Sequence, residues 1–190
     1  MNNEVITIVS GLPRSGTSMM MQMLAAGGLP ILCDNCRAAD EDNPRGYYEF
    51  ESVKLIKQDA SWLPNAKGKA VKIISELLKF LPPDYGYRVI FMQRRLEEIL
   101  ASQRQMLIRR GRFAGEGDNA GTIELFHQHL MRTEAWLKKQ SQFELLHIDY
   151  SAIIANPMEQ AKMIARFLDR ALVIEDMADA VDPLLHRQRY

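Results

Sequence analysis

Arg14 is the one cation inside a loop bracketed by two glycines, and this setting is where the sequence first offers chemistry. The stretch reads GLPRSGTS, with Leu12, Pro13, Arg14 and Ser15 between Gly11 and Gly16. That glycine spacing is the one used by loops whose backbone N–H groups wrap an anion. Thr17 and Ser18 then open a helix, whose free N–H groups and dipole favour an oxyanion at its start. Phosphate loops of nucleotide hydrolases place a Lys directly after the second glycine, where it reaches the end of a triphosphate. Thr17 stands there instead, and Arg14 sits lower and farther back, which suits a shorter 5'-anhydride. The competing reading is a turn that binds nothing, but an Arg has little packing use in a glycine loop.

Other reactive groups carry weaker signals. Cys33 and Cys36 form a lone C-x-x-C; a structural zinc needs two further ligands, and the His residues are not spaced to supply them. They read as loop thiols. Arg104, Arg109, Arg110 and Arg112 make the densest basic stretch and read as a solvated helix end, with a ligand anion as the alternative.

The scaffold that must hold these groups follows from periodicity. Val5, Ile6, Ile8 and Val9 run without alternation, as in a strand buried on both faces of a parallel sheet. Met19, Met20, Met21, Met23 and Leu24 give a packed helix that stops at Gly27–Gly28. Residues 29–48 are irregular, with Pro30, Pro44, Gly46 and an acidic cluster, and loops of that length usually carry function. A helix is expected over 50–63 with Val53, Ile56 and Ala60 inward, then a strand over 70–74, a brief helix over 76–81 and a strand over 88–92. Leu96, Ile99, Leu100, Gln103, Met106 and Leu107 define one face of a long helix. Residues 111–121 are Gly-rich and expected to be mobile. Thr122 is expected to cap a helix running to about Gln140, followed by a strand over 143–148. Asn156, Pro157 and Glu159 then form a helix start, with the helix ending near Arg170.

Strands alternating with helices predict an α/β fold: a three-layer α/β/α sandwich around a parallel sheet, with ligands at the carboxyl ends of the strands. The 190 residues, 47% apolar, suffice for one core, so residues 1–190 are read as a single domain. Lys plus Arg balances Asp plus Glu at 24 each, which leaves no global field for nucleic acid or an anionic membrane. No apolar run has the length of a membrane span and MNNEV is unlike a secretory signal, so a cytoplasmic protein is expected.

Several segments share a resemblance. GLPRSGTS resembles the 5'-phosphosulfate loop of sulfotransferases, in the PRSGT(S/T) form of tyrosylprotein and many bacterial members. DNPRGYYEFE resembles a segment found after that loop in bacterial sulfotransferase-like proteins. YRVIFMQRRLEEILASQRQM resembles the family's strand-Arg-helix-Ser segment, with Arg94 and Ser102 eight residues apart, and HIDYSAIIANPMEQAKMIARFLD resembles a later strand-helix segment. The matches keep family order from Val5 to about Asp169.

The resemblance implies a P-loop nucleoside-triphosphate-hydrolase-like sulfotransferase fold. It implies a bacterial-type enzyme that moves a sulfonate from 3'-phosphoadenylyl sulfate to a hydroxyl or amine, leaving adenosine 3',5'-bisphosphate. Pro13, Arg14, Ser15, Gly16, Thr17 and Ser18 would hold the donor's 5' end, and Arg94 and Ser102 its ribose 3'-phosphate. Sulfuryl transfer, like phosphoryl transfer, asks the protein for positioning and charge stabilisation, so no metal is expected. Arg14 would clamp charge, and Lys72 matches a strand-end Lys that could touch the bridging oxygen. The acceptor would be a small molecule or a carbohydrate.

The sequence departs from the family in two places. Ile74 falls where cytosolic sulfotransferases carry their catalytic His, so the base is sought as in enzymes that use a loop Glu: Glu49 first, then Asp42. The family's C-terminal phosphate-binding loop has no counterpart in DPLLHRQRY, where Arg187 or Arg189 would be a loose substitute. A P-loop nucleotide or small-molecule kinase, and a non-catalytic protein that binds the bisphosphate nucleotide, remain the alternatives.

Overall fold

Every residue of the first strand, β1 (Ile6–Gly11), is buried, as its unbroken apolar run requires. A computed structural model describes residues 4–34, 36, 38–41, 43–112 and 119–183. Within them β1 pairs in parallel with β2 (Ala70–Lys72) on one side and β3 (Tyr87–Gln93) on the other, and β3 pairs in parallel with β4 (Phe143–Asp149). The order β2-β1-β3-β4 makes the chain leave β1 in one direction and return on its other side. Such a reversal opens a crevice at the carboxyl ends of the strands.

Side chains alternate across the sheet and build two cores. Ile6, Ile8, Val89 and Phe91 join one with Trp62, Leu63 and Leu78. Val9, Ile90, Met92 and Ile148 join the other with Met20, Met23 and Leu24 of α1 (Thr17–Ala26) and Ile164 of α6 (Pro157–Leu168). The remaining helices are α2 (Leu63–Ala66), α3 (Leu96–Arg109), α4 (Asn119–Leu137), α5 (Tyr150–Ala155) and α7 (Ile174–Asp179). The expected layered architecture is observed.

Several local expectations are corrected. The helix over 50–63 is instead a 3-10 turn, Glu51–Leu55, and the single turn of α2. Val53 and Ile56 are buried three residues apart, a 3-10 spacing, and Asp59 accepts the Ser61 N–H at 2.9 Å to break the run. The brief helix over 76–81 is likewise a 3-10 segment, Ser75–Phe80. Thr122 lies inside α4, which begins at Asn119. Asn156 makes no side-chain cap, whereas Asp149 caps α5 through the N–H groups of Ser151 and Ala152. On α3 the buried residues are Glu98, Ile99 and Ser102, while Leu107 is 36% exposed, because the inner face of this helix borders a cavity as well as the core. Of the Gly-rich segment, residues 113–118 lie outside the described part of the chain.

Candidate functional site

The register of β1 on β3 pairs Gly11 with Met92, so the glycine loop and Arg94 leave adjacent strands at the same height. Gly11 has φ 142° and a Cβ there would stand 2.7 Å from the Met92 carbonyl oxygen. Gly16 has φ 102° and a Cβ would meet the Tyr150 ring at 2.6 Å. Both positions demand glycine for backbone reach and for space. Between them the loop closes with Ser15 N–H donating to Leu12 O at 3.1 Å, and α1 begins at Thr17 with its first N–H groups beyond intrahelical partners.

Two clusters of side chains face this loop. In the first, Arg94 Nε donates to Glu98 Oε2 at 2.8 Å and Nη1 donates to the Arg14 carbonyl at 3.2 Å. Its guanidinium lies 4.3 Å from the centre of the Tyr150 ring, which supports it by cation–π contact. Arg14 Nε donates to Ser102 Oγ at 2.9 Å. In the second cluster Lys72, at the end of β2, donates to Ser18 Oγ at 3.3 Å and to the Tyr47 carbonyl. Its ammonium is also 3.8 Å from Glu49 Oε1. Lys72 and Arg94 side chains are each only 9% exposed, so solvent screens both charges less than it would at the surface.

One cavity of about 490 Å³ takes in both clusters. Pro13, Arg14, Gly16, Thr17 and Ser18 line it from the loop, and Lys72, Glu49, Arg94 and Ser102 from around it. Ser15 is 1% exposed and is not among the residues that line the cavity, contrary to the expectation that it helps hold the donor. Asp42 lies outside the described residues, as do Arg187 and Arg189. Ile74, at the place of the missing His, also lines the cavity.

No protein-family model matches the sequence, and no curated protein matches it either. The solved structures do give matches. A sulfotransferase domain of the Synechococcus PCC 7002 olefin synthase superposes with a TM-score of 0.59 at 12% identity, over 97% of this chain and 80% of that one. The chain has the sulfotransferase fold. Retinol dehydratase, crystallised with androsterone and the inactive cofactor PAP, matches with a TM-score of 0.55 at 17% identity, over 95% of this chain and 64% of that one. The sulfotransferase domain of the curacin biosynthetic pathway matches at 0.52 and 13% identity, over 93% and 77%.

Within this sulfotransferase fold some site residues escaped the sequence reading. Tyr150, which no motif singles out for chemistry, packs under Arg94 and against Gly16. Glu98 and Gln22 carry no spacing signal of their own, whereas Asn43 and Tyr47 lie in the DNPRGYYEFE segment, which marked the stretch without marking these side chains. Arg109 and Arg110, read as a solvated helix end, line the cavity and lie 3.9 Å and 3.7 Å from Glu41 and Asp40. The cysteines flank Asp34, whose carboxylate accepts the N–H groups of Glu51 at 2.6 Å and Cys36 at 3.0 Å. Those bonds hold the Asp34 carboxyl below its ordinary value, and Asp34 in turn pushes the Cys36 thiol up. Among the described residues no group of three or more His, Cys, Asp or Glu is placed to hold a metal, and no helix is long and apolar enough to cross a membrane.

Proposed function

We propose that the chain transfers a sulfonate group from 3'-phosphoadenylyl sulfate to a hydroxyl or amine acceptor. The observation that carries the reading is the joining, in one cavity, of the Arg14 loop with the Arg94–Ser102 pair. A donor with a 5'-phosphosulfate and a ribose 3'-phosphate needs two anion sites, and the cavity volume is that of an ordinary small-molecule pocket. Retinol dehydratase, of like fold, is held with PAP and androsterone, which supports a nucleotide donor and a small-molecule acceptor.

In the reaction the acceptor atom attacks sulfur in line, the bond from sulfur to the 5'-phosphate oxygen breaks, and charge gathers on that oxygen. Arg14, the α1 N–H groups and Lys72 Nζ are disposed to meet it. The acceptor's proton goes to the Glu49 carboxylate, which lies beside Lys72 at the cavity wall. Arg94 and Ser102 take the 3'-phosphate, with Tyr150 holding the guanidinium flat. Catalysis is expected to proceed without magnesium. The Ile74 side chain in place of a His favours examining a second reading, a nucleotide-binding protein without turnover, in the same assay.

The test is calorimetric titration of adenosine 3',5'-bisphosphate without magnesium, beside AMP, ADP and ATP. Because Glu98 is paired with Arg94, the informative variant removes both, Arg94→Ala with Glu98→Ala. Wild type should bind the bisphosphate more tightly than AMP by about tenfold or more, and the variant should lose that preference. Better binding of ATP with magnesium, or equal binding of AMP, sinks the proposal; bisphosphate binding with no transfer to any acceptor favours the second reading.

A further inference from the structure

We propose that Gln22 and Asn43 form an acceptor-reading subsite that takes a neutral, hydroxyl-rich molecule of the sugar type. The inference rests on the sulfonate-transfer reading above and names its acceptor class. Gln22 lies on α1 one turn after Ser18, so the two share a helix face, and both line the cavity. Asn43 opens a turn in which the Gly46 N–H donates to the Asn43 carbonyl at 3.0 Å, and Tyr47, next in the chain, supplies the carbonyl that Lys72 contacts. Gln22 thus neighbours Ser18 and Asn43 neighbours Tyr47 along the chain, and Ser18 and Tyr47 are two groups that Lys72 contacts.

Gln22 is 8% exposed and Asn43 9%, and neither carboxamide makes a hydrogen bond among the described residues. The carboxamide atoms are not among the enclosed polar atoms of the described residues and open into the cavity, whereas α1 fills its other buried positions with Met and Leu. Two such groups opening into one cavity point to a ligand that completes them. Each carboxamide both donates and accepts, which complements a hydroxyl and favours neither sign of charge. The ionic groups nearby face opposite charges: Lys72 is 3.8 Å from Glu49, Arg109 is 3.9 Å from Glu41, and Arg45 is 3.2 Å from Asp182. A charged acceptor would have to break into those pairs, and an apolar one would leave both carboxamides buried and unpaired.

The test measures sulfonate transfer from 3'-phosphoadenylyl sulfate to a set of methyl hexopyranosides and to 2-naphthol, with wild type, Gln22→Met and Asn43→Leu. Calorimetry with adenosine 3',5'-bisphosphate and a thermal melt are run on each protein. Wild type is expected to prefer at least one pyranoside over 2-naphthol. Each variant should lower kcat/KM for that pyranoside by about tenfold or more, chiefly through KM, with bisphosphate affinity kept within about twofold. Both variants should melt within about 2 °C of wild type or above it, since the carboxamides open into the cavity and bond no other group among the described residues. A preference for 2-naphthol, bisphosphate binding without transfer to any pyranoside, or variants that keep the pyranoside rate overturns the inference. So do variants that melt below the expected range or weaken the bisphosphate, which would make the carboxamides structural or donor-binding. Failure of wild type to bind the bisphosphate removes the underlying donor reading instead.

Discussion

Lys72 and Glu49 sit 3.8 Å apart but face different partners, and their substitutions should separate accordingly. Lys72 also contacts Ser18 of the glycine loop, whereas Glu49 is the group proposed above as the acceptor's base. Glu49→Gln should lower kcat by about a hundredfold or more while leaving bisphosphate affinity within about twofold, the range expected for a lost general base. Lys72→Met should lower kcat and weaken the bisphosphate together; equal effects of the two substitutions on binding would remove the division of labour. Arg14, Arg94 and Ser102 could be singled out in the chain because a glycine loop and an eight-residue step mark them, and the fold brings all three to one cavity. Glu98, Gln22 and Asn43 could not, because what marks them is polarity under burial, and burial is decided by elements distant in sequence.

Elements were legible where one face of a strand or helix carried the whole signal. β1, β3 and α1 follow their apolar runs closely. The segment after Phe50 did not, since Val53, Ile56, Trp62 and Leu63 fit both a helix and a broken chain, and the edge-to-face packing of Phe50 on Trp62 at 5.5 Å helps select the latter. The seam between the glycine loop and α5 gives a prediction at this scale. Gly16→Ala places a methyl 2.6 Å from the Tyr150 ring on a backbone with φ 102°. It should cost about 2 kcal/mol and lower the melting temperature by about 4–8 °C. In a Tyr150→Ala background the same change should cost less, since only the backbone strain remains; full additivity in a double-mutant cycle would show that the ring is not what the methyl meets.

For the molecule as a whole, one buried phenol ties stability to alkaline pH. Tyr87 is 1% exposed, stacks on Phe143 at 5.0 Å and donates to the Pro82 carbonyl at 2.8 Å. Burial pushes its phenol well above the ordinary value of 10.0. A group raised in the folded state contributes stability that is complete below its unfolded value and fades as pH rises past it. The melting temperature should therefore fall above about pH 10, and Tyr87→Phe should flatten part of that fall. An unchanged slope in the variant would assign the loss to other groups. The crosswise bonds between the glycine loop and the Arg94–Ser102 segment have a different reach. Arg94 holds the backbone of Arg14 while the Arg14 side chain holds Ser102, so the strand ends are stitched at a set separation. On the donor reading proposed above, such a pair of anchors is a calliper: it would sort ligands by the distance between their anions and not by how many they carry. Adenosine 2',5'-bisphosphate has the same charge as its 3',5' isomer and should still be turned away. Added salt should weaken both isomers and leave their ratio standing.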